Sequence, residues 1–314
     1  MKERDETSQV VGLLVLDYGT PLREEDIMPY YTHIRRGYPP TAAEVERLKK
    51  RYRAIGGTSP LAALTAAQAQ ALADALNASA TTVRYRLFTG HKHCAPFIED
   101  AVTEMAEAGI TEAATIVMAP YFSLFSTAAY FERARRRAAR YGLTLHEVQA
   151  WNEEPEFIHY WTNALEKTLS TTGRDASVAV IFTAHSLPYH VIHMGDSYPA
   201  CIEATAKRVA EEVGLTSYHM AWQSAGVRGD WLTPDVVTVT KEVADDPTVR
   251  TVVYVPIGFV CDHLEVLYDN DIECKALCDT LNLAYTRVDM PNTNATFIEA
   301  MHRAVLRTGI EQQR

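Results

Sequence analysis

The chain has 314 residues, of which 47% are hydrophobic and 22% are charged, and its formal net charge at pH 7 is −10. This length suits one large domain or two of ordinary size. An acidic chain without an extended basic surface is not expected to be a general nucleic-acid-binding protein. No apolar run approaches the roughly 20 residues that span a bilayer, and the polar first residues do not resemble a signal peptide. We therefore expect a cytoplasmic protein that binds no nucleic acid.

Apolar runs predict eight buried strands that alternate with helices along the chain. The predicted strands are Val10–Leu16, Thr82–Phe88, Ala114–Met118, Leu143–Gln149, Ser177–Phe182, Ser217–Trp222, Thr251–Val255 and Leu283–Arg287. The alternation of strands and helices is interrupted near Thr171-Thr172-Gly173. This break places four predicted strands in residues 1–172 and four in residues 173–314. Strands that alternate with helices favour parallel sheets with both faces covered. The predicted fold is α/β, with two four-stranded, doubly wound halves.

Polar side chains follow these strands at the edge where open α/β sheets bind their ligands, beyond the carboxyl ends of the strands. In chain order they are Tyr18; His91, Lys92 and His93; Tyr121, Ser123 and Ser126; His185 and Ser186; Gln223 and Ser224; His263 and Glu265. Several of these residue types bind metals or transfer protons near neutral pH. The pattern therefore predicts a functional site at this edge.

Two of these residues, His185 and Glu265, form the first candidate pair. A single histidine at a strand end is as well explained by a structural hydrogen bond as by catalysis. Together with Glu265 from an adjacent strand end, His185 could accept protons or bind a divalent ion. The residues alone leave both interpretations open.

Glu265, Asp269 and Glu273 recur at every fourth position and therefore lie along one line of a predicted helix over residues 262–280. Like charges at this spacing repel by roughly 0.2–0.5 kcal/mol per pair on an exposed helix. The line is either a solvated acidic face or a path along which a hydrated cation moves. Tyr18 has two comparable interpretations: a packed phenol, or an oxygen ligand that faces a metal-bearing group.

Basic side chains could bind an acidic small molecule, although the chain as a whole is acidic. Lys92 and the arginines Arg35, Arg36, Arg51 and Arg53 suit carboxylates, which arginine can bind with two parallel hydrogen bonds. The alternative is a solvated helix face. The Gly56-Gly57 loop matches neither GxxxxGK[ST] nor GxGxxG, so no nucleotide site is expected.

Five cysteines are spread along the chain, and the odd number argues against a disulfide framework. Cys274 and Cys278 share a helix face and, with Cys261, suggest an iron–sulfur cluster. No CxxC or other compact ligand spacing supports that cluster. We expect buried thiols.

Seven motifs, in order along the chain, resemble the ferrochelatase family. They are LLVLDYGTP, YYTHIRRG, RYRAIGGTSPLA, HKHCAPFIEDAV, TAHSLP, WQSAG and PIGFVCDHLEVLYDNDIEC. The resemblance extends from about Val10 to Val305, and the combination of TAHSLP with GFVCDHLEVLYD is highly specific. More narrowly, the chain resembles the monomeric coproporphyrin III ferrochelatases of Gram-positive bacteria.

This resemblance implies two similar Rossmann-like domains, 1–172 and 173–314, with a porphyrin cleft between them and a C-terminal helix that packs back on the first. It implies a lyase of haem biosynthesis that inserts Fe²⁺, its substrate, into coproporphyrin III without a resident cofactor. We expect a monomer that contacts neighbouring enzymes of the haem pathway only transiently.

The resemblance also implies roles for individual residues. His185 and Glu265 match a pair on one face of the macrocycle that delivers iron, removes pyrrole protons, or does both. Tyr18 matches the tyrosine on the opposite face, which ligates the iron of the product. Asp269 and Glu273 match the acidic line, on a helix with a π-type distortion. The implied substrate-binding residues are Tyr18, Arg35, Arg51, Tyr52, Ser59, Lys92, His93 and Tyr130.

Two residues depart from the family pattern. Asp17 stands beside Tyr18 where relatives often have a small residue, and its charge is expected to raise the pKa of Tyr18. His91 either adds a metal contact or adds none. The alternative functions are a protoporphyrin IX ferrochelatase, a cobalt or nickel chelatase acting on a more reduced tetrapyrrole, and a non-catalytic porphyrin or haem carrier.

Overall fold

A computed structural model describes residues 9–80, 82–226 and 229–311, so the polar residues 1–8 lie outside it. Two parallel sheets of four strands each run in the equivalent orders β2-β1-β3-β4 and β6-β5-β7-β8. The strands are β1 Gln9–Asp17, β2 Val83–His91, β3 Glu112–Val117, β4 Thr144–Val148, β5 Val178–His185, β6 His219–Gln223, β7 Thr251–Val255 and β8 Ala284–Arg287. The predicted α/β fold with two four-stranded sheets is confirmed.

Helices connect the strands and cover both sheets. They are α1 Ile27–Ile34, α2 Ala42–Ala54, α3 Leu61–Ser79, α4 Ile98–Glu107, α5 Thr127–Ala138, α6 Pro155–Thr172, α7 His190–His193, α8 Tyr198–Val213, α9 Val236–Ala244, α10 Lys275–Thr280 and α11 Ala295–Leu306. Short 3₁₀ turns at Glu24–Asp26 and Ala139–Tyr141 adjoin α1 and α5. The sequence did not predict α7. Within the described ranges, no helix is both long and apolar enough to cross a membrane.

The segment after β7 contains a π-helix over Val266–Cys274, which continues directly into α10. This confirms the π-type distortion that the resemblance implied. The wider turn carries Asp269, whereas Glu265 lies at the residue that precedes it. One element therefore positions two carboxylates beyond the end of β7.

Each sheet is buried on both faces, which explains the continuous apolar runs of its central strands. Val11 and Val15 of β1 face one apolar core, whereas Leu14 and Leu16 face another. The first core also contains Trp161 of α6 and residues of the second sheet, so both halves share it. The C-terminal helix α11 packs against α3 and α6 of the first half.

The N-terminus of α2 is a capping box, in which the Glu44 N–H donates to Oγ1 of Thr41 at 3.3 Å and the Thr41 N–H donates to Oε2 of Glu44 at 2.7 Å. At the other end, the Gly57 N–H donates to the carbonyl of Tyr52 at 2.8 Å. Gly57 has a φ of +103°, which side chains rarely adopt. These ends direct the last turn of α2, with Arg51 and Tyr52, towards the π-helix of the other half.

Candidate active site

His185 is the last residue of β5, and two hydrogen bonds fix its position. Its Nδ1–H donates to the Ser186 carbonyl at 2.5 Å, which leaves Nε2 to face the cleft. The Tyr198 hydroxyl donates to the His185 carbonyl at 3.1 Å. A backbone acceptor on one ring nitrogen fixes the tautomer and exposes the other nitrogen for a metal or a proton.

Glu265 lies between two histidines. Its Oε1 is 3.6 Å from Nε2 of His185, and its Oε2 is 3.7 Å from Nε2 of His263. His263 in turn donates from Nδ1 to the Cys261 carbonyl at 3.1 Å. About a third of the His185 and Glu265 side chains is exposed, at 35% and 32%, so ions and protons can reach them.

The two groups of this pair stabilise each other's charged form. Partial burial lowers the pKa of His185, but the charge and hydrogen bond of Glu265 outweigh that effect and raise it to about 9. Burial raises the pKa of Glu265, whereas His185 and His263 hold it well below its ordinary value. At neutral pH the pair is therefore an imidazolium and a carboxylate.

Tyr18 follows β1 and is 41% exposed. Desolvation by burial raises the pKa of its phenol, and the charges of Glu265 and Tyr52 add to the shift. The ring packs against His93, with 4.5 Å between ring centres. Tyr18 thus belongs to the first half of the chain and the His185–Glu265 pair to the second, and the charge of Glu265 acts on the Tyr18 phenol.

Asp17 does not act on Tyr18 as expected. Its carboxylate accepts a hydrogen bond from Nδ1 of His91, and it is absent from the groups that raise the pKa of Tyr18, which are burial, Glu265 and Tyr52. Repulsion by Asp17 is therefore not among the causes of the raised pKa of Tyr18. His91 is engaged by Asp17 and adds no contact to the His185–Glu265 pair.

The acidic line changes character along its length: Asp269 is buried, whereas Glu273 is exposed. Asp269 accepts hydrogen bonds from Arg51 of α2 and from Oγ of Ser224. Burial raises the pKa of Asp269 to about 6, and Arg51 opposes that shift. The Asp269–Arg51 ion pair joins the two halves at the edge of the site.

Sequence reasoning missed a buried amide pair beneath the π-helix. Gln223 and Asn270 exchange two hydrogen bonds of 3.3 Å, and Nε2 of Gln223 also donates to the Glu265 carbonyl at 3.4 Å. Both side chains are almost fully buried. Gln223 stood among the polar residues at the strand ends, but the only sequence signal for Asn270 was an asparagine inside a helical segment, where asparagine is disfavoured.

Several residues expected to bind substrate already have partners. Arg35 pairs with Glu44 at 2.8 Å, and the Tyr52 hydroxyl bonds Oγ1 of Thr20 at 3.1 Å. Ser59 is buried and accepts from the Leu61 N–H at 3.2 Å. Arg35 directly after α1, Arg51 and Tyr52 on α2, and Ser59 in the loop that follows α2 thus each already have a partner within the protein.

Lys92 differs from these residues because it has no carboxylate partner among the described residues. Its Nζ lies 4.6 Å from the ring centre of the buried Tyr130 and donates to the Ser126 carbonyl at 3.4 Å. Burial lowers the pKa of Lys92 to about 8, and Arg133 and Arg36 contribute. A bound carboxylate would counter this repulsion.

His93 is adjacent to Lys92 and is uncharged. Burial lowers its pKa to about 3, and Lys92 and His33 add to the shift. Its Nδ1 lies 2.9 Å from Nδ1 of His33, so one of these two nitrogens donates to the other. His93 therefore supports Tyr18 as a neutral ring.

The ferrochelatase family model matches residues 10–308. The chain belongs to the ferrochelatase family. It is 46% identical to the coproporphyrin III ferrochelatase of Geobacillus kaustophilus, over 97% of this chain and 98% of that one. Its identity to the Bacillus subtilis protein of the same name is also 46%, over 95% and 97% of the two chains.

Solved structures of other chelatases share the fold. SirB from Bacillus subtilis with Fe³⁺ superposes with a TM-score of 0.59 at 11% identity, covering 97% of both chains. The sirohydrochlorin chelatase SirB from Bacillus subtilis subspecies spizizenii, in complex with cobalt, also gives a TM-score of 0.59, at 12% identity. The superposition with this second SirB structure covers 97% of the present chain and 98% of the SirB chain. At these identities the likeness concerns the fold alone.

As a ferrochelatase, this chain takes a porphyrin and iron as its substrates. Within the part of the chain that the structure describes, no group of three or more His, Cys, Asp or Glu side chains is arranged to hold a metal ion. All five cysteines are free thiols, and Cys261, Cys274 and Cys278 are buried.

Proposed function

We propose that this ferrochelatase inserts Fe²⁺ into coproporphyrin III to give Fe-coproporphyrin. The observation that carries the proposal is the partly exposed His185–Glu265 pair of the second half, whose carboxylate charge also acts on the Tyr18 phenol of the first half. The similarity to curated coproporphyrin III ferrochelatases over nearly the whole chain supports the choice of substrate.

Insertion requires that Fe²⁺ loses bound water and that the porphyrin loses two pyrrole protons. The ionised Glu265 is the vacant proton acceptor of the pair, because His185 already holds its proton at neutral pH. An approaching cation lowers the pKa of His185, which then releases its proton and offers Nε2. Both groups are partly exposed, so the protons can pass to solvent.

Porphyrin carboxylates would bind first where positive charge is not yet paired. Lys92 meets that condition, and the nearby Arg133 and Arg36 strengthen the local positive potential. Arg35 and Arg51 can contribute only by exchanging their present partners, Glu44 and Asp269, for substrate carboxylates. Such an exchange at Arg51 would free Asp269 for the incoming cation, which couples porphyrin binding to the acidic line.

We also place the protein in the cytoplasm as a monomer that needs no resident cofactor and meets its pathway partners transiently. The polar, acidic composition and the lack of a spanning segment in the sequence support this location. The absence of compact cysteine spacing supports the lack of an iron–sulfur cluster.

The substrate assignment is tested by anaerobic Fe²⁺ insertion into coproporphyrin III and protoporphyrin IX, followed side by side by absorbance. A strong preference for the tetra-anionic coproporphyrin is expected, since it offers more carboxylates to Lys92 and the arginines. A preference for protoporphyrin IX would leave the assignment as a ferrochelatase in place but contradict the assignment of coproporphyrin III as the substrate. Insertion into neither would favour a porphyrin carrier.

A further inference from the structure

A cavity of about 650 Å³ lies in the first half of the chain, beside the aromatic residues that pack on Tyr18. Tyr30 and His93 line it, whereas Tyr18, Lys92 and the residues of the second half do not. Its volume falls in the range of small-molecule sites, roughly 300–1,000 Å³. The cavity therefore borders the candidate active site at His93 and extends away from Tyr18 and Lys92.

The floor of this cavity is built by two adjacent parallel strands. Asp17 is paired in register with His91, and Val15 with Thr89. Residues two apart on a strand share a face, so these four side chains project from the same side of the sheet. All four line the cavity, opposite small residues of α3. Polar groups thus converge at the carboxyl ends of β1 and β2, where such sheets bind ligands.

Asp17 is the key polar group, because it is buried and only half satisfied. Its side chain is 8% exposed, and Oδ1 accepts from Nδ1 of His91. Oδ2 receives no hydrogen bond from any described residue. Because Asp17 lines the cavity, a ligand that carries a hydrogen-bond donor could bind this oxygen.

The rest of the lining favours a positively charged ligand with an apolar body. Asp26 adds a second carboxylate, which is bonded to Arg23, and no lysine or arginine lies among the described residues that line the cavity. Most other lining groups are apolar, including Pro29, Ala62 and Phe97. The tetra-anionic porphyrin would be repelled from such a lining.

We propose that this cavity binds an organic cation with an apolar, ring-sized body and one ammonium or amidinium group that donates to Oδ2 of Asp17. The proposal does not depend on the proposed function. Because His93 and Tyr30 contact both the cavity and Tyr18, an occupant would lie directly behind the support of that tyrosine.

The test is calorimetric titration of the full chain with three ligands that share an indole body: tryptamine, which is a cation, tryptophol, which is neutral, and indole-3-acetate, which is an anion. Tryptamine should bind once per chain, tryptophol about tenfold more weakly because it lacks the charge-assisted hydrogen bond, and indole-3-acetate should not bind. Saturation with coproporphyrin III should leave tryptamine binding in place.

Two variants locate the site. Asp17→Asn should weaken tryptamine binding by about tenfold and make it equal to tryptophol binding, whereas Glu104→Gln, an exposed charge loss on α4, should change neither. Ala62→Phe should fill the cavity and abolish binding of both ligands, which keeps the test decisive if Asp17→Asn does not fold. Absence of tryptamine binding, competition by the porphyrin, or binding unaffected by Ala62→Phe would overturn the proposal.

Discussion

At the residue scale, the central feature is a single carboxylate held by two imidazoles. His185 alone, partly buried, would be a weak base with a lowered pKa. Glu265 reverses that direction and keeps a proton on the ring until another positive charge arrives. We therefore propose that the pair exchanges a proton for a metal cation, which is the exchange that metal insertion requires.

Glu265→Gln should lower the pKa of His185 from about 9, because burial is then opposed only by the Ser186 carbonyl and the charge of Asp269. Titration of the histidine ring signals by nuclear magnetic resonance measures this shift. The control Glu104→Gln should leave the His185 titration unchanged. A His185 that still titrates near pH 9 in Glu265→Gln would show that the carboxylate does not control it.

Lys92→Met should weaken coproporphyrin III binding by about tenfold, because a charge-assisted hydrogen bond is worth roughly 1.5–3 kcal/mol. Methionine keeps an apolar stem over Tyr130, so packing is preserved. Porphyrin absorbance titrations measure the affinity, and Lys50→Met on the exposed side of α2 is the matched control. Equal affinities in both variants would remove Lys92 from the substrate site.

At the scale of elements, the π-helix is the element that positions the carboxylates of the candidate site, because it contains Asp269 and directly follows Glu265. Its inner side is attached to β6 by the Gln223–Asn270 amide pair, and its outer side to α2 by the Arg51–Asp269 ion pair. A wide helical turn is less favourable than an α-helical one, so such attachments are needed to hold it.

Asn270→Leu should destabilise the protein by about 1–3 kcal/mol, because the Gln223 amide is left buried without its partner. The double variant Asn270→Leu/Gln223→Leu should recover part of that loss, since no orphaned polar group remains. Urea denaturation measures the free energy of unfolding, with the exposed Asn163→Leu as control. A double variant less stable than the sum of the single variants would contradict this role.

At the scale of the whole molecule, the two sheets repeat one strand order, and the site forms where their carboxyl edges meet. The eight strands could be predicted because buried parallel strands are apolar on both faces, as in β1 and β7. The His185–Glu265 pair could be proposed because both residues follow strands. The partners of Arg35, Asp17 and Gln223 could not be predicted, because side-chain pairing between distant segments depends on the packed geometry. Helix α7 is too short to show a periodic pattern.

The central claim is that the His185–Glu265 pair performs metal insertion, and the most direct measurement is anaerobic Fe²⁺ insertion by His185→Ala, followed by absorbance beside a porphyrin-binding titration. We predict that the insertion rate falls by at least about a hundredfold while coproporphyrin III still binds. His159→Ala, on the exposed side of α6, should retain the full rate. A His185→Ala variant that inserts iron at the unchanged rate would contradict the account.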